Sequence, residues 1–280
     1  MVIIYDLIMK LGCSTYSFWH FRGEKLPLKK YLEKVYVHGF DGVEVLANHV
    51  EDKSRSYLVE VKRHAFELGL DIYAVAIHNN FVKPSREERE SEVNSVKEWL
   101  DVAYRLGACA IRVNSGRWGT IKSFDELMER KGLEPPLPGY TVDDAFGWVI
   151  ECLNKLVPVA EDYGIVLALE NHWGLTRDAD GVLRILERVN SRWVRALMDI
   201  GNFIEDTYVQ LERIAPYTVM VHAKTFFGGG EWYALDLDYD RIFTMIRKHG
   251  FSGWVSLEYE GKEEYDIGVK KSVDLLRKYI

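Results

Sequence analysis

Short apolar, β-branched runs alternate with longer amphipathic segments along the whole chain. The runs LGCSTYSF (11–18), GVEVL (42–46), DIYAVAIH (71–78), CAIRVNS (109–115), GIVLALEN (164–171), VRALMD (194–199), TVMVHAK (218–224) and GWVSLEY (253–259) predict eight strands. Between them, segments such as LKKYLEKVYVHG, SYLVEVKRHAFELG and AFGWVIECLNKLVPVAEDYG carry apolar residues at helical spacing. Gly39, Gly69, Gly107, Gly164 and Gly250 each follow such a segment, where glycine takes the left-handed conformation that closes a helix. Eight βα units without hairpin signals predict parallel strands joined by helical crossovers, and eight such units close a barrel. The expected fold is therefore α/β, a single (β/α)₈ (TIM) barrel domain over 1–280 with a long loop after the fourth strand.

Two stretches depart from the repeat. The opening MVIIYDLIMK is apolar for only nine residues before Lys10 and lacks a basic start and a small-residue cleavage site. It reads as neither signal peptide nor membrane span, and residues 1–8 are expected to be an N-terminal extension ahead of Met9. Residues 115–140, SGRWGTIKSFDELMERKGLEPPLPGY, far exceed an ordinary βα loop, and a short helix is expected within 123–131. This insertion follows strand four, so it is expected to overhang the C-terminal face as a lid; active sites of this fold sit there. A second loop, FFGGGEW (226–232), lacks the Lys-Ser/Thr ending of a phosphate loop and reads as flexible.

Composition narrows the function. A 280-residue chain with 48% hydrophobic and 28% charged residues buries a full core in one domain. Its net charge of −7 argues against nucleic acid and anionic membrane as partners, since both demand a basic footprint. Cys13, Cys109 and Cys152 are odd in number and match no C-x-x-C pattern, so a reducing, cytoplasmic setting is expected. A single glutamine, Gln210, among many Glu, Lys and Arg is a thermophile-like bias.

The candidate chemistry lies at strand ends. Strand five ends in Glu170, strand six in Asp199, strand seven in His222 and strand eight in Glu258. In a closed barrel these four ends are neighbours, so the side chains converge. Each alone reads equally well as a solvated side chain at a strand exit; together they form an oxygen-rich set for one divalent ion, Mn²⁺, Mg²⁺, Co²⁺ or Zn²⁺. On the same face fall Glu44 after strand two, His78 and Asn79 after strand three, and Asn114 after strand four. His172 shares a side with Glu170, and Lys224 with His222. Substrate contact and structural hydrogen bonding are both open to these residues. Of the aromatics near the face (Phe18, Trp19, Trp118 and Trp173), Trp19 is a candidate for stacking on a sugar.

Taken together, L-x-L-E-N-H, M-D-I-G-N, V-H-x-K and G-x-V-S-x-E-Y resemble the xylose-isomerase-like barrel superfamily from Leu11 onward. The pattern is most similar to its sugar-phosphate isomerase/epimerase branch, which includes ketose 3-epimerases, hydroxypyruvate isomerases and inosose dehydratases. The resemblance implies a metal held by Glu170, Asp199, His222 and Glu258, with Mn²⁺ foremost, and an acid–base role for Glu170 and Glu258. It implies a sugar or sugar-phosphate substrate isomerised or epimerised by proton transfer beside a metal-bound carbonyl. Dehydration of an inosose-type polyol is the alternative from the same site. Glu260 shares parity with Glu258, but the motif favours Glu258. Many relatives carry histidine where this chain has Asn202, which leaves Asn202 as an amide able to orient a hydroxyl but not to exchange protons. The endonucleases that share this barrel need three metals and more histidines than His78, His172 and His222 supply, and the negative charge opposes DNA. A homo-oligomer is compatible with the sequence.

Overall fold

The computed structural model describes residues 9–280, so the expected extension at 1–8 lies outside the described residues. Eight strands pair in parallel in chain order and β8 returns to β1, closing the barrel. They are β1 (Lys10–Ser14), β2 (Gly42–Leu46), β3 (Asp71–Ala76), β4 (Ala110–Val113), β5 (Val166–Glu170), β6 (Val194–Asp199), β7 (Thr218–Thr225) and β8 (Trp254–Tyr259). The helices are α1 (Leu28–Val37), α2 (Arg55–Glu67), α3 (Arg86–Leu106), α4 (Phe124–Glu129), α5 (Val142–Tyr163), α6 (Ala179–Val189), α7 (Thr207–Ile214), α8 (Tyr239–Lys248) and α9 (Tyr265–Leu276). The glycines expected to close helices do so: Gly39, Gly69, Gly107, Gly164 and Gly250 have φ between 67° and 86°.

The first strand is shorter than the sequence suggests. After Ser14 the chain turns into a 3₁₀ helix, Thr15–Phe18, because its hydroxyls find partners that an extended strand would deny them. Thr15 Oγ1 accepts the Leu46 N–H at 2.9 Å, while Ser17 Oγ donates to the Leu257 carbonyl at 3.0 Å and accepts the Tyr259 N–H at 3.0 Å. These bonds aim Tyr16 into the barrel mouth.

The barrel floor is packed with Tyr73, Leu197 and Met220, and Tyr73 stacks on Trp254 with ring centres 4.2 Å apart. Gly12 permits this: a Cβ there would stand 2.3 Å from the Tyr73 ring. The floor is also the foot of a polar column. Tyr73 Oη donates to Ser256 Oγ at 2.6 Å, and Ser256 Oγ donates to Glu44 at 3.0 Å.

The insertion 115–140 folds on itself and carries α4 within the range expected for a short helix. Buried Glu134 accepts from Arg117 Nη1 at 2.7 Å and from the backbone N–H groups of Ile121 and Gly119 at 3.0 and 3.2 Å. Phe124 packs against Trp173 and Trp232, both with ring centres at 5.3 Å, so the insertion rests on loops of the C-terminal face. The glycine-rich loop expected to be flexible is tied down: Glu231 N–H donates to the Glu260 carbonyl at 2.7 Å and Lys262 N–H to the Gly229 carbonyl at 3.0 Å. Among the described residues no helix is long and apolar enough to cross a membrane.

Candidate metal centre and its pocket

Strand register brings the four expected residues together. Asp199 pairs with His222 across β6 and β7, and Glu258 lies beside Lys224 across β7 and β8. Glu170, Asp199, His222 and Glu258 are all buried, and one donor atom from each lies within 4.8 Å of all the others. His222 Nδ1 is 3.2 Å from Glu170 Oε1, 3.3 Å from Glu258 Oε1 and 3.9 Å from Asp199 Oδ2. Among the described residues this is the one His/Cys/Asp/Glu group so arranged.

The electrostatics of the cluster call for a cation. Glu44, Glu170, Asp199, Glu258 and Glu260 crowd around two permanent cations, Arg112 and Lys224. Burial, with the Glu170 and Glu44 charges behind it, pushes the Glu258 carboxyl up to about 7. Burial likewise holds the Asp199 carboxyl well above its usual range against the pull of Lys224. For His222 burial acts downward, but Glu258 and Glu44 outweigh it and favour the imidazolium, which stands as a counter-ion to the carboxylates. Asp199 Oδ1 accepts the Gly201 N–H at 2.8 Å, whereas its buried Oδ2 has no hydrogen-bond partner. An orphaned carboxylate oxygen aimed at two glutamates and an imidazole fits a bound divalent ion, since buried acceptors are otherwise nearly always satisfied.

Glu170 is set apart from Glu258 by its neighbours. Arg112 Nη1 donates to Glu170 Oε2 at 2.8 Å and Asn114 Nδ2 donates to the same oxygen at 3.1 Å, leaving Oε1 toward the centre. Burial would raise this carboxyl, yet the Arg112 charge, with the His222 hydrogen bond beside it, holds it well below the usual carboxylate range.

The centre opens into a pocket of about 80 Å³ walled by Tyr16, Phe21, His78, Arg112, His172 and Lys224 together with Glu170, Glu258 and Glu260. His78, His172 and Lys224 thus face the pocket as the sequence suggested. Lys224 Nζ donates to Asn202 Oδ1 at 2.9 Å and pairs with Glu260 at 3.0 Å and Asp199 at 3.5 Å.

Four residues expected to contact substrate are not part of the pocket lining. Glu44 lies inside β2 rather than after it, with no exposed surface, and both its oxygens are taken by His222 Nε2–H and Ser256. Asn114 faces Glu170 and exchanges backbone bonds with Asn79, and Asn202 bridges Lys224 to the Asn171 carbonyl at 3.0 Å. Trp19 is buried against Phe21 and His49 with Nε1 donating to the Gly23 carbonyl, so its ring is spent on packing. Five pocket residues were not expected as site residues, the apolar Leu46 and four others. Arg112 was signalled by an arginine inside an apolar strand, on the Asn114 side, and Glu260 by its parity with Glu258. Tyr16 and Phe21 were hidden because the turn after Ser14 breaks strand parity.

Over residues 32–279 the chain matches the family described as Xylose isomerase-like TIM barrel. The chain belongs to that family. Every member of the metal group lies inside the matched range. Solved structures with the same fold include D-psicose 3-epimerase of Clostridium cellulolyticum H10 with D-tagatose, at 18% identity and TM-score 0.78, covering 97% of this chain and 99% of that one. The 3-keto-D-glucoside 4-epimerase YcjR of E. coli is 20% identical at TM-score 0.77, covering 96% of this chain and 99% of the other. The IolI protein with a binding zinc atom is 20% identical at TM-score 0.72, covering 97% and 99%. At these identities the likeness establishes the barrel of the family, and the chemistry rests on the chain's own residues.

Proposed function

We propose that this chain is a divalent-metal-dependent sugar isomerase or epimerase. The observation that carries the reading is the buried group Glu170, Asp199, His222 and Glu258, with the orphaned Asp199 Oδ2 turned into it. These four residues would hold a divalent ion, which would supply Lewis-acid polarisation of a substrate carbonyl. Mn²⁺ is the first choice for a set of three carboxylates and one imidazole. The epimerases and the zinc-holding protein among the structural neighbours support the same reading.

The protein supplies proton transfer and orientation. Glu258, which lines the pocket beside the centre, takes the proton from the carbon next to the carbonyl, and a carboxylate so placed suits that role. Glu170, kept ionised by Arg112, faces the same centre and serves as the second proton-transfer group. Return of a proton to the opposite face of the carbon epimerises it; return to the neighbouring carbon isomerises the sugar. His172, kept neutral because burial lowers it to about 3, offers a hydrogen bond to a hydroxyl without adding charge. The ammonium of Lys224, raised well above its usual range chiefly by Asp199 and Glu260 against burial, stays charged beside the developing oxyanion. Calorimetric titration of chelator-treated protein with Mn²⁺ tests the reading. One site per chain, lost in Asp199→Ala, is expected; no binding at any concentration up to millimolar overturns it.

A further inference from the structure

The inner pocket, at about 80 Å³, is well below the roughly 300–1,000 Å³ that small-molecule ligands occupy. It has room for a reacting carbonyl end and little else. A second cavity of about 440 Å³ lies directly beside it, and Phe21 and His78 line both. The cavity under the 115–140 insertion, by contrast, has no lining residue in common with the inner pocket.

The partition is built from side chains, and its geometry is costly. His20 and Phe21 are consecutive non-glycine residues at φ 51° and 59°, a left-handed conformation that costs energy at each. His20 Nε2–H is anchored on the Tyr259 carbonyl, so the turn is held in place and presents Phe21 over the mouth, half exposed. The Phe21 and His78 rings meet edge-on at 5.5 Å, both side chains carry exposed surface, and His78 Nε2 lies 3.3 Å from Arg112 Nη2 at the edge of the inner pocket.

The second cavity has the chemistry of a carbohydrate subsite. Its walls are Trp99, Asn48, Asn79, Ser95 and Glu92 besides the shared pair. Trp99 offers an indole, held by Lys53 at 4.3 Å from the ring centre, and Asn48 and Ser95 are exposed hydrogen-bonding groups. Its lining contains no lysine or arginine. The nearby Lys83 is paired with Glu92 at 3.1 Å and Lys53 with Glu98 at 3.3 Å, while Lys25 donates to the Asn48 carbonyl at 3.2 Å from outside the lining. An aromatic face with one free amide, a hydroxyl and a carboxylate suits an uncharged polyol ring better than a phosphate.

We infer that this cavity binds the non-reacting half of the substrate, a second neutral sugar ring, while the reacting ketose end enters the inner pocket past Phe21 and His78. The inference rests on the proposed isomerase or epimerase reading of the inner site and deepens it: the substrate class is an unphosphorylated glycosyl-ketose rather than a free ketose or its phosphate.

Calorimetry on Mn²⁺-loaded protein tests it with D-fructose, D-fructose 6-phosphate and three glucosyl-fructoses, turanose, maltulose and isomaltulose, which differ only in linkage. At least one of the three should bind roughly ten-fold tighter than fructose, the size of one good aromatic contact. Fructose 6-phosphate should bind no tighter than fructose. Asn48→Ala and Trp99→Ala should erase the disaccharide margin and leave fructose affinity unchanged; the exposed Asn48 carries the test if the Trp99 variant misfolds. The inference is overturned if no glucosyl-fructose exceeds fructose, if the phosphate binds tightest, or if the margin survives in Asn48→Ala. Mn²⁺ stoichiometry from the same samples separates the two readings: loss of metal binding removes the proposed reaction, whereas equal sugar affinities with one Mn²⁺ bound remove only the subsite.

Discussion

Glu44 accepts a hydrogen bond from His222 Nε2–H at 3.1 Å, and this bond turns His222 Nδ1 toward the carboxylates of Glu170, Asp199 and Glu258. A carboxylate behind a ligating imidazole fixes its tautomer and raises its basicity. Here the carboxylate is itself held by Ser256, which Tyr73 steadies from the barrel floor. Glu44→Gln should therefore weaken Mn²⁺ binding about 10–100-fold while removing no ligand. Calorimetric affinity checks this, and unchanged affinity would show that His222 needs no partner.

The metal-free and metal-loaded proteins should respond oppositely to pH. Without metal, Glu258 has its carboxyl raised to about 7 in the folded chain against an ordinary value near 4.5, and His222 is raised as well. Between about 4.5 and 7 the folded state thus binds more protons than the unfolded one, so stability falls as pH rises through that window. Glu170 and Glu44 are lowered and act only below it, where stability is lost on further acidification. Chelator-treated protein should melt at a higher temperature at pH 6 than at pH 8. Added Mn²⁺, which needs these groups deprotonated, should raise the melting temperature more at pH 8. Thermal melts at both pH values, with and without metal, check the crossing.

Phe124 ties the insertion to Trp173 and Trp232 on the active face. If the insertion serves as a lid that excludes water, Phe124→Ala should raise KM and lower turnover several-fold. Stability should change little, since the ring is more than a third exposed. Steady-state kinetics alongside a thermal melt separate this from a core role, in which melting temperature would fall first.

Most of the barrel is legible in the sequence because strand and helix periods, with glycine stops, repeat eight times. The sixth strand ends where VRALMD ends, and the metal group follows from carboxylates and an imidazole at consecutive strand exits. What escapes is local and three-dimensional. Glu44 looks like a strand-exit carboxylate, yet the register that pairs it with Ser14 and Ala74 sinks it below the face. Trp19 and Phe21 are two residues apart, and which one reaches the pocket depends on the 3₁₀ turn and two left-handed residues that no alternation pattern encodes. Arg112 is visible as a charge in an apolar strand, but its meaning appears only when Glu170 is found 2.8 Å away.

The central claim is proton transfer by Glu258 and Glu170 at the carbon beside a carbonyl. The most direct test follows turnover of a ketose substrate by the Mn²⁺-loaded protein in D₂O, with the product examined by NMR, for wild type and Glu258→Gln. Wild type should place solvent deuterium on the carbon next to the carbonyl, and the variant should be about 10²–10⁴-fold slower. Full conversion without deuterium, at a rate that Glu258→Gln leaves unchanged, would contradict the account.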